Sequence, residues 1–257
     1  MHKSNILLNE KGIRKIYHEA FQDDQALITP TTTMIIDTHK LGLPNCQAIL
    51  LDKKRGTIFT KRSTNMLVKK FISWQNFNFV LSTFIIGELY HDHSHRHIVP
   101  FVSGNQILLP TRGYVHSPAS WIVQSNLIDY CCLGHNEVGL QFSKHHGPEY
   151  ILPVNSQQFT TIYANALIIA EVQTRMIEQL IKDFPCKFIK DTHNKIREFF
   201  PQQLPENISL HKITEYFIDK IIEDVLQYSF SLIDEEPDEK YILQVKNAVK
   251  EHQKRLR

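Results

Sequence analysis

Between Thr31 and Val154 the chain is built from short apolar runs rich in β-branched and aromatic residues. They read "TTTMIID", "QAILLD", "GTIFT", "NFVLSTFII", "NQILLP", "SWIVQ", "LIDYCCL", "EVGLQF" and "EYILPV", and Gly, Pro, Asn and Asp break the chain between them. Runs this short, separated by turn residues, describe strands that return on themselves, so a mostly antiparallel sheet is expected. The most apolar stretch, "FNFVLSTFIIGELY" from Phe77 to Tyr90, contains Asn78, Ser82, Thr83 and Glu88. Those polar residues argue against a membrane span, and the stretch is read as buried strands.

The flanks follow a different rule. Ile13, Ile16, Tyr17, Ala20 and Phe21 fall at helical spacing, which predicts a short N-terminal helix. In "STNMLVKKFISWQ" (63–75), Met66, Leu67, Lys70 and Phe71 fit a helical turn with Ser63 as its cap, although a strand also fits. Asn155 or Ser156 can cap a long helix whose apolar stripe is Phe159, Tyr163, Ala166, Ala170, Ile177, Leu180 and Phe184, broken at Gln173. Such a stripe packs on its own sheet or, with Gln173 setting the register, forms a homodimer seam. A further helix opens at Ser209 and buries Ile213, Phe217, Ile221, Val225 and Tyr228. The last, beyond Pro237, uses Tyr241, Ile242, Val245 and Val249. The expected fold is α+β: a mostly antiparallel, β-rich core followed by a long helix (1–205), then a helical C-terminal extension (206–257).

Charge is segregated along this frame. Lys53, Lys54, Arg55, Lys61, Arg62, Lys69 and Lys70 follow one another with no acid between them. From Glu215 to Glu239 the balance reverses, with only Lys220 opposing nine acids, and the last residues turn basic again. An acid-free basic stretch accompanied by Thr57, Thr60, Ser63, Thr64 and Asn65 suits a polyanion, because cations neutralise phosphates and hydroxyls hydrogen-bond them. No helix-turn-helix with a tight glycine turn is visible, so readout by a recognition helix in the major groove is not expected.

"HDHSHRHIVP" sets His91, His93, His95 and His97 at alternate positions, on one face of a strand if the strand is regular. Two such side chains could share an ion, but a zinc tetrahedron usually draws ligands from separate segments, so the expectation is an exposed polar edge or loop without a metal, with charge gain near neutrality toward a phosphate partner as the alternative. There is no GxSxG, HExxH or phosphate-loop pattern, and neither an enzyme nor a cofactor is expected. The four cysteines, Cys46, Cys131, Cys132 and Cys186, lack CxxC spacing. The N-terminus lacks a signal-peptide pattern, so reduced thiols in a cytoplasm are expected.

Several segments together resemble the ComK family of competence transcription factors. "SHRHIVPFVSGNQILLPT" (94–111) is similar to that family's Ser-His-Lys, proline, then apolar-Phe-Pro-Thr segment. "SWIVQSNLIDY", "EVGLQF", "YILPV" and the helix opening at "NSQQF" follow in the family's order. The resemblance spans roughly residues 30 to 205. It implies an activator of DNA-uptake genes that binds A·T-rich double-stranded promoter DNA as a homo-oligomer, with Arg55, Arg62 and Arg112 as groove candidates and the lysines on phosphates. It also implies that "REFFPQQLP", with Glu198, Phe199, Phe200 and Pro201, is where a Clp-protease adaptor takes hold. The acidic helical extension lies beyond the resemblance and is expected to contact RNA polymerase or to shield the basic core. Two other classes remain open: a metal-dependent phosphoesterase using His91 to His97 and Asp92, and a protein-interaction module that binds no nucleic acid.

Overall fold

The computed structural model describes residues 5–75, 79–92, 97–143, 149–183, 208–231 and 238–255, and it divides into two compact units, Met1–Pro205 and Glu206–Arg257. The first unit begins with β1 (Ile6–Leu7), α1 (Glu10–His18), β2 (Phe21–Gln22), β3 (Thr32–Asp37), β4 (Ala48–Asp52) and β5 (Gly56–Thr60). It continues through α2 (Thr64–Ile72), α3 (Phe79–Tyr90), β6 (Phe101–Ser103), β7 (Gln106–Pro110) and β8 (Trp121–Val123). Then come β9 (Asp129–Gly134), β10 (Glu137–Gln141), β11 (Tyr150–Leu152) and the long α4 (Ser156–Asp183). The second unit holds α5 (Leu210–Ser231) and α6 (Glu239–Arg255).

The strands form two mostly antiparallel sheets. One runs β2-β5-β4-β3-β8-β7-β6 and the other β1-β11-β10-β9, with β2–β5 and β1–β11 as the parallel pairs. In the larger sheet Ile35, Ala48, Leu50, Ile58, Leu108, Trp121 and Val123 share one core with Leu67, Val68 and Phe71 of α2. The residues of opposite parity, Met34, Ile36, Ile49, Leu51, Ile107, Leu109 and Ile122, are just as buried. A sheet covered on both faces needs apolar side chains at successive positions, which is why "MII", "AILL" and "ILL" do not alternate with polar residues.

The helices begin where their caps stand. Asn9 accepts from the Gly12 N–H, Ser63 Oγ from Met66, Asn155 Oδ1 from Gln158, Ser209 Oγ from Lys212 and Asp238 Oδ1 from Lys240. Each supplies an acceptor to a first-turn donor that has no carbonyl within the helix. The 63–75 stretch is therefore a helix, and Asn155 rather than Ser156 caps α4.

One expectation is corrected. Phe79–Tyr90 is the helix α3, not strands, and it packs on α4 and β6. Its apolar residues lie all round the axis, so no period announces it; its length, twice that of an ordinary strand, is the usable signal. His91 follows it with φ 52°, which ends the helix and prevents a regular strand from starting there.

Gln173 is fully buried in α4. Its Nε2 donates to the Val102 carbonyl at 2.9 Å and its Oε1 accepts from the Gly104 N–H at 3.0 Å. The polar break in the stripe thus satisfies the chain's own β6–β7 hairpin, and α4 packs along β6, β7 and β10. Ile177 is exposed, and Leu180 and Phe184 lie outside the described side chains. In the second unit Ile213 is buried and Ile221 exposed, while Lys220 and Lys246 both reach the Glu223 carboxylate. The side chains of Val225, Tyr228 and Val249 lie outside the described set. Among the described residues, no helix is long and apolar enough to cross a membrane.

Candidate nucleic-acid interface

The basic stretch, continuous in sequence, is divided in space. Strand register puts Asp37, Ala48 and Thr60 in one row at one end of the sheet, and Thr32, Asp52 and Gly56 in another at the opposite end. Lys53, Lys54 and Arg55 therefore occupy the β4–β5 turn, while Lys61 and Arg62 leave the far end of β5. Strand rise separates these groups by roughly 15–20 Å. Arg112, distant in sequence, belongs with Lys61 and Arg62, because it follows β7 at the Asp37 end and its Nη2 donates to Asp37 Oδ2 at 2.9 Å.

At the turn, one buried carboxylate organises everything. Asp52 accepts from the hydroxyls of Thr29 (2.7 Å), Thr31 (2.8 Å) and Thr32 (3.1 Å) and from the backbone N–H groups of Lys54 and Arg55. The Arg55 guanidinium completes the set with Nε at 3.2 Å and Nη2 at 3.0 Å, and Nη2 also donates to the Leu27 carbonyl at 2.8 Å. Burial alone would raise the Asp52 carboxyl; the Arg55 N–H, the threonine hydroxyls and the guanidinium outweigh it and hold the group well below the usual carboxylate range. Arg55 is thus turned toward the protein. Of its neighbours, Lys53 Nζ lies 3.3 Å from the Asn126 carbonyl, and Lys54 is exposed.

At the other end the cations are held more loosely. Lys61 Nζ is 3.4 Å from Asp24, with both side chains well exposed, and Arg62 gives one hydrogen bond to Gln25 Oε1 at 2.9 Å. Arg112 is bound more firmly, since Nε and Nη2 also donate to the Pro118 carbonyl. From Arg62 the chain enters α2, whose inner positions are buried and whose outer face carries Met66, Lys69, Lys70 and Trp74, all exposed. No acid occurs between Asp52 and Glu88 in the sequence, although in space Asp24 stands beside Lys61.

At its described ends, His91–Asp92 and His97, the histidine segment is not strand. His91 ends α3, and His97 stacks on Tyr90 with ring centroids 4.3 Å apart. His97 Nε2 stands 3.5 Å from Asp92 Oδ2, an ion-pair distance without a hydrogen bond. His93 and His95 lie outside the described residues, and among those described no three His, Cys, Asp or Glu side chains converge. Beside His97 is an open groove of about 360 Å³, lined mainly by Asn155, Gln157, Gln158, Thr161 and Asn165 at the start of α4. Its amides and hydroxyl can hydrogen-bond a ligand, but none of its lining side chains is a carboxylate or thiol. Periodicity does not point to this groove, because its wall combines the first turns of α4 with the segment before β6. Glu198, Phe199, Phe200 and Pro201 lie outside the described residues.

In comparisons with known proteins, no family model, curated sequence or solved structure matches this chain.

Proposed function

We propose that this chain is a DNA-binding regulator, a competence activator of the ComK type, acting in the cytoplasm on A·T-rich promoter DNA as a homo-oligomer. The observation that supports the reading is the run of cations from Lys61 through α2, uninterrupted by an acid in sequence, in which Lys61 and Arg62 follow β5 and Lys69 and Lys70 stand exposed on a capped helix. Arg62 uses one of its five donors on Gln25, which leaves donors for phosphate or a narrow minor groove. Arg112 at this end, and Arg55 at the opposite end of the sheet, each tie a loop to a buried or half-buried aspartate. Lys53 and Lys54, at the opposite end of the sheet, would reach a duplex only if it ran along the sheet or was bent around it.

The test is fluorescence anisotropy of the purified protein with A·T-rich and G·C-rich duplexes across a salt series. The expected result is an A·T preference whose salt slope corresponds to roughly 0.9 per phosphate neutralised. Binding that is absent at low salt, or indifferent to salt, overturns the reading. On the same reading, Glu198–Pro201 engages a protease adaptor and the acidic α5 contacts RNA polymerase. An unchanged cellular half-life in the folded F199A/F200A variant would refute the first. Unchanged promoter activation after removal of residues 206–257 would refute the second.

A further inference from the structure

The chain has two tryptophans, and their surroundings are opposite: Trp121 is 1% exposed in the core, whereas Trp74 is 60% exposed just beyond the end of α2. Tryptophan is among the most buried residues on average, so an indole left largely in water is unusual. Met66, also 60% exposed, stands eight positions before it, with Lys70 midway on the same side. Lys70 Nζ lies 5.7 Å from the centroid of the indole ring. That spacing places a cation near the ring without covering both of its faces.

From this we infer that the outer face of α2 is a stacking platform for an unpaired nucleobase, with Trp74 as the stacking residue and Lys69 and Lys70 on the adjoining phosphates. The ligand class is single-stranded nucleic acid. A helix with its side chains is roughly 10–12 Å across and the undistorted minor groove about 6 Å wide, so α2 could bring the indole to the bases of a duplex only by widening and kinking it, at a cost that a single strand does not impose. In a paired duplex the base faces are covered by their neighbours; in a single strand they are open, and an aromatic ring beside lysines is the usual partner. The exposed Lys69 and Lys70 beside the ring favour a polyanion over a neutral or basic protein. Met66 on the nine-residue α2 and Trp74 just beyond it fall short of the broad apolar face that an interfacial membrane helix needs.

The inference shares Lys69 and Lys70 with the promoter-binding reading, and the experiment separates the two. Tryptophan emission of the full chain is titrated with an oligothymidylate of about 15 nucleotides, with the A·T-rich duplex, and with vesicles of anionic phosphatidylglycerol. Trp121 serves as the internal reference, being shielded from quenching. The single strand is expected to quench the exposed indole. Trp74→Ala should weaken single-strand binding by about 5- to 100-fold, the worth of one stacked base, while duplex affinity changes by less than about threefold. A single strand that binds without quenching, or a W74A variant that loses single-strand and duplex affinity equally, overturns the stacking role and leaves promoter binding standing. A blue shift with vesicles and no response to oligothymidylate also overturns it, in favour of a membrane surface. Loss of all nucleic-acid binding in the wild-type chain removes both readings.

Discussion

Arg55 and Lys70 come from the same acid-free run of sequence and have opposite fates. Arg55 lies against a carboxylate that is fully buried, and its donors are shared between Asp52 and the Leu27 carbonyl. Lys70 extends from the outer face of a helix, with an indole as its neighbour. The difference is set by the acceptor within reach: a buried aspartate with three threonines recruits a guanidinium, and an outward helix face has no such acceptor. Composition counts both residues as positive charge available to a polyanion. Geometry makes one of them part of the scaffold and presents the other to a partner.

The contrast is tested most directly at Asp52. Asp52→Ala removes the acceptor of three hydroxyls, two N–H groups and a guanidinium. It should cost about 3–5 kcal/mol, the usual loss when one partner of a buried ion pair is removed. Urea denaturation would show this as a lower midpoint; a loss below about 1 kcal/mol would mean that Arg55 is not clamped as described. The same site predicts a pH dependence. The Asp52 carboxyl titrates lower in the folded chain than in the unfolded one, so its contribution is fully present above the unfolded value of about 3.9. It is lost as pH falls from there through the folded value. The acid limb of a stability profile should therefore flatten in Asp52→Asn; an identical limb in both proteins would count against the assignment.

Smaller effects probe the outward-facing helix. Ser63→Ala removes the cap that starts α2 and should cost about 1 kcal/mol in a thermal or urea melt. If the presentation of Lys69 and Lys70 depends on that helix, duplex affinity should fall alongside stability. Lys69→Ala with Lys70→Ala should alter stability by no more than about 0.5 kcal/mol, since neither side chain is buried. The salt slope of duplex binding should nevertheless fall by about two, one for each phosphate no longer neutralised. A changed melt with an unchanged slope would make the helix the scaffold and leave DNA to the turn.

The features legible in the sequence alone are local. The caps Ser63, Asn155 and Ser209, most of the short apolar runs from β3 to β11 and the Phe159, Ala166 and Ala170 positions of the α4 stripe can be read directly, because each signal lies within a few residues of the structure it produces; Ile162, Ile169, Val172 and Met176, which complete the buried face, fall outside that stripe. The mixed α+β class with mostly antiparallel sheets follows from those elements. Long-range packing settles the remainder. α3 reads as strands in the sequence because an evenly apolar run carries no period, and only packing on α4 and β6 fixes its form. The split of the basic run by β5, and the joining of Arg112 to Lys61 and Arg62, follow from strand register. Arg55 turns inward because Thr29, Thr31 and Thr32, over twenty residues upstream, complete the shell around Asp52. Gln173 is a satisfied core amide because Val102 and Gly104 sit opposite it. Each of these outcomes depends on partners distant along the chain, and no window of sequence contains both halves of such a contact.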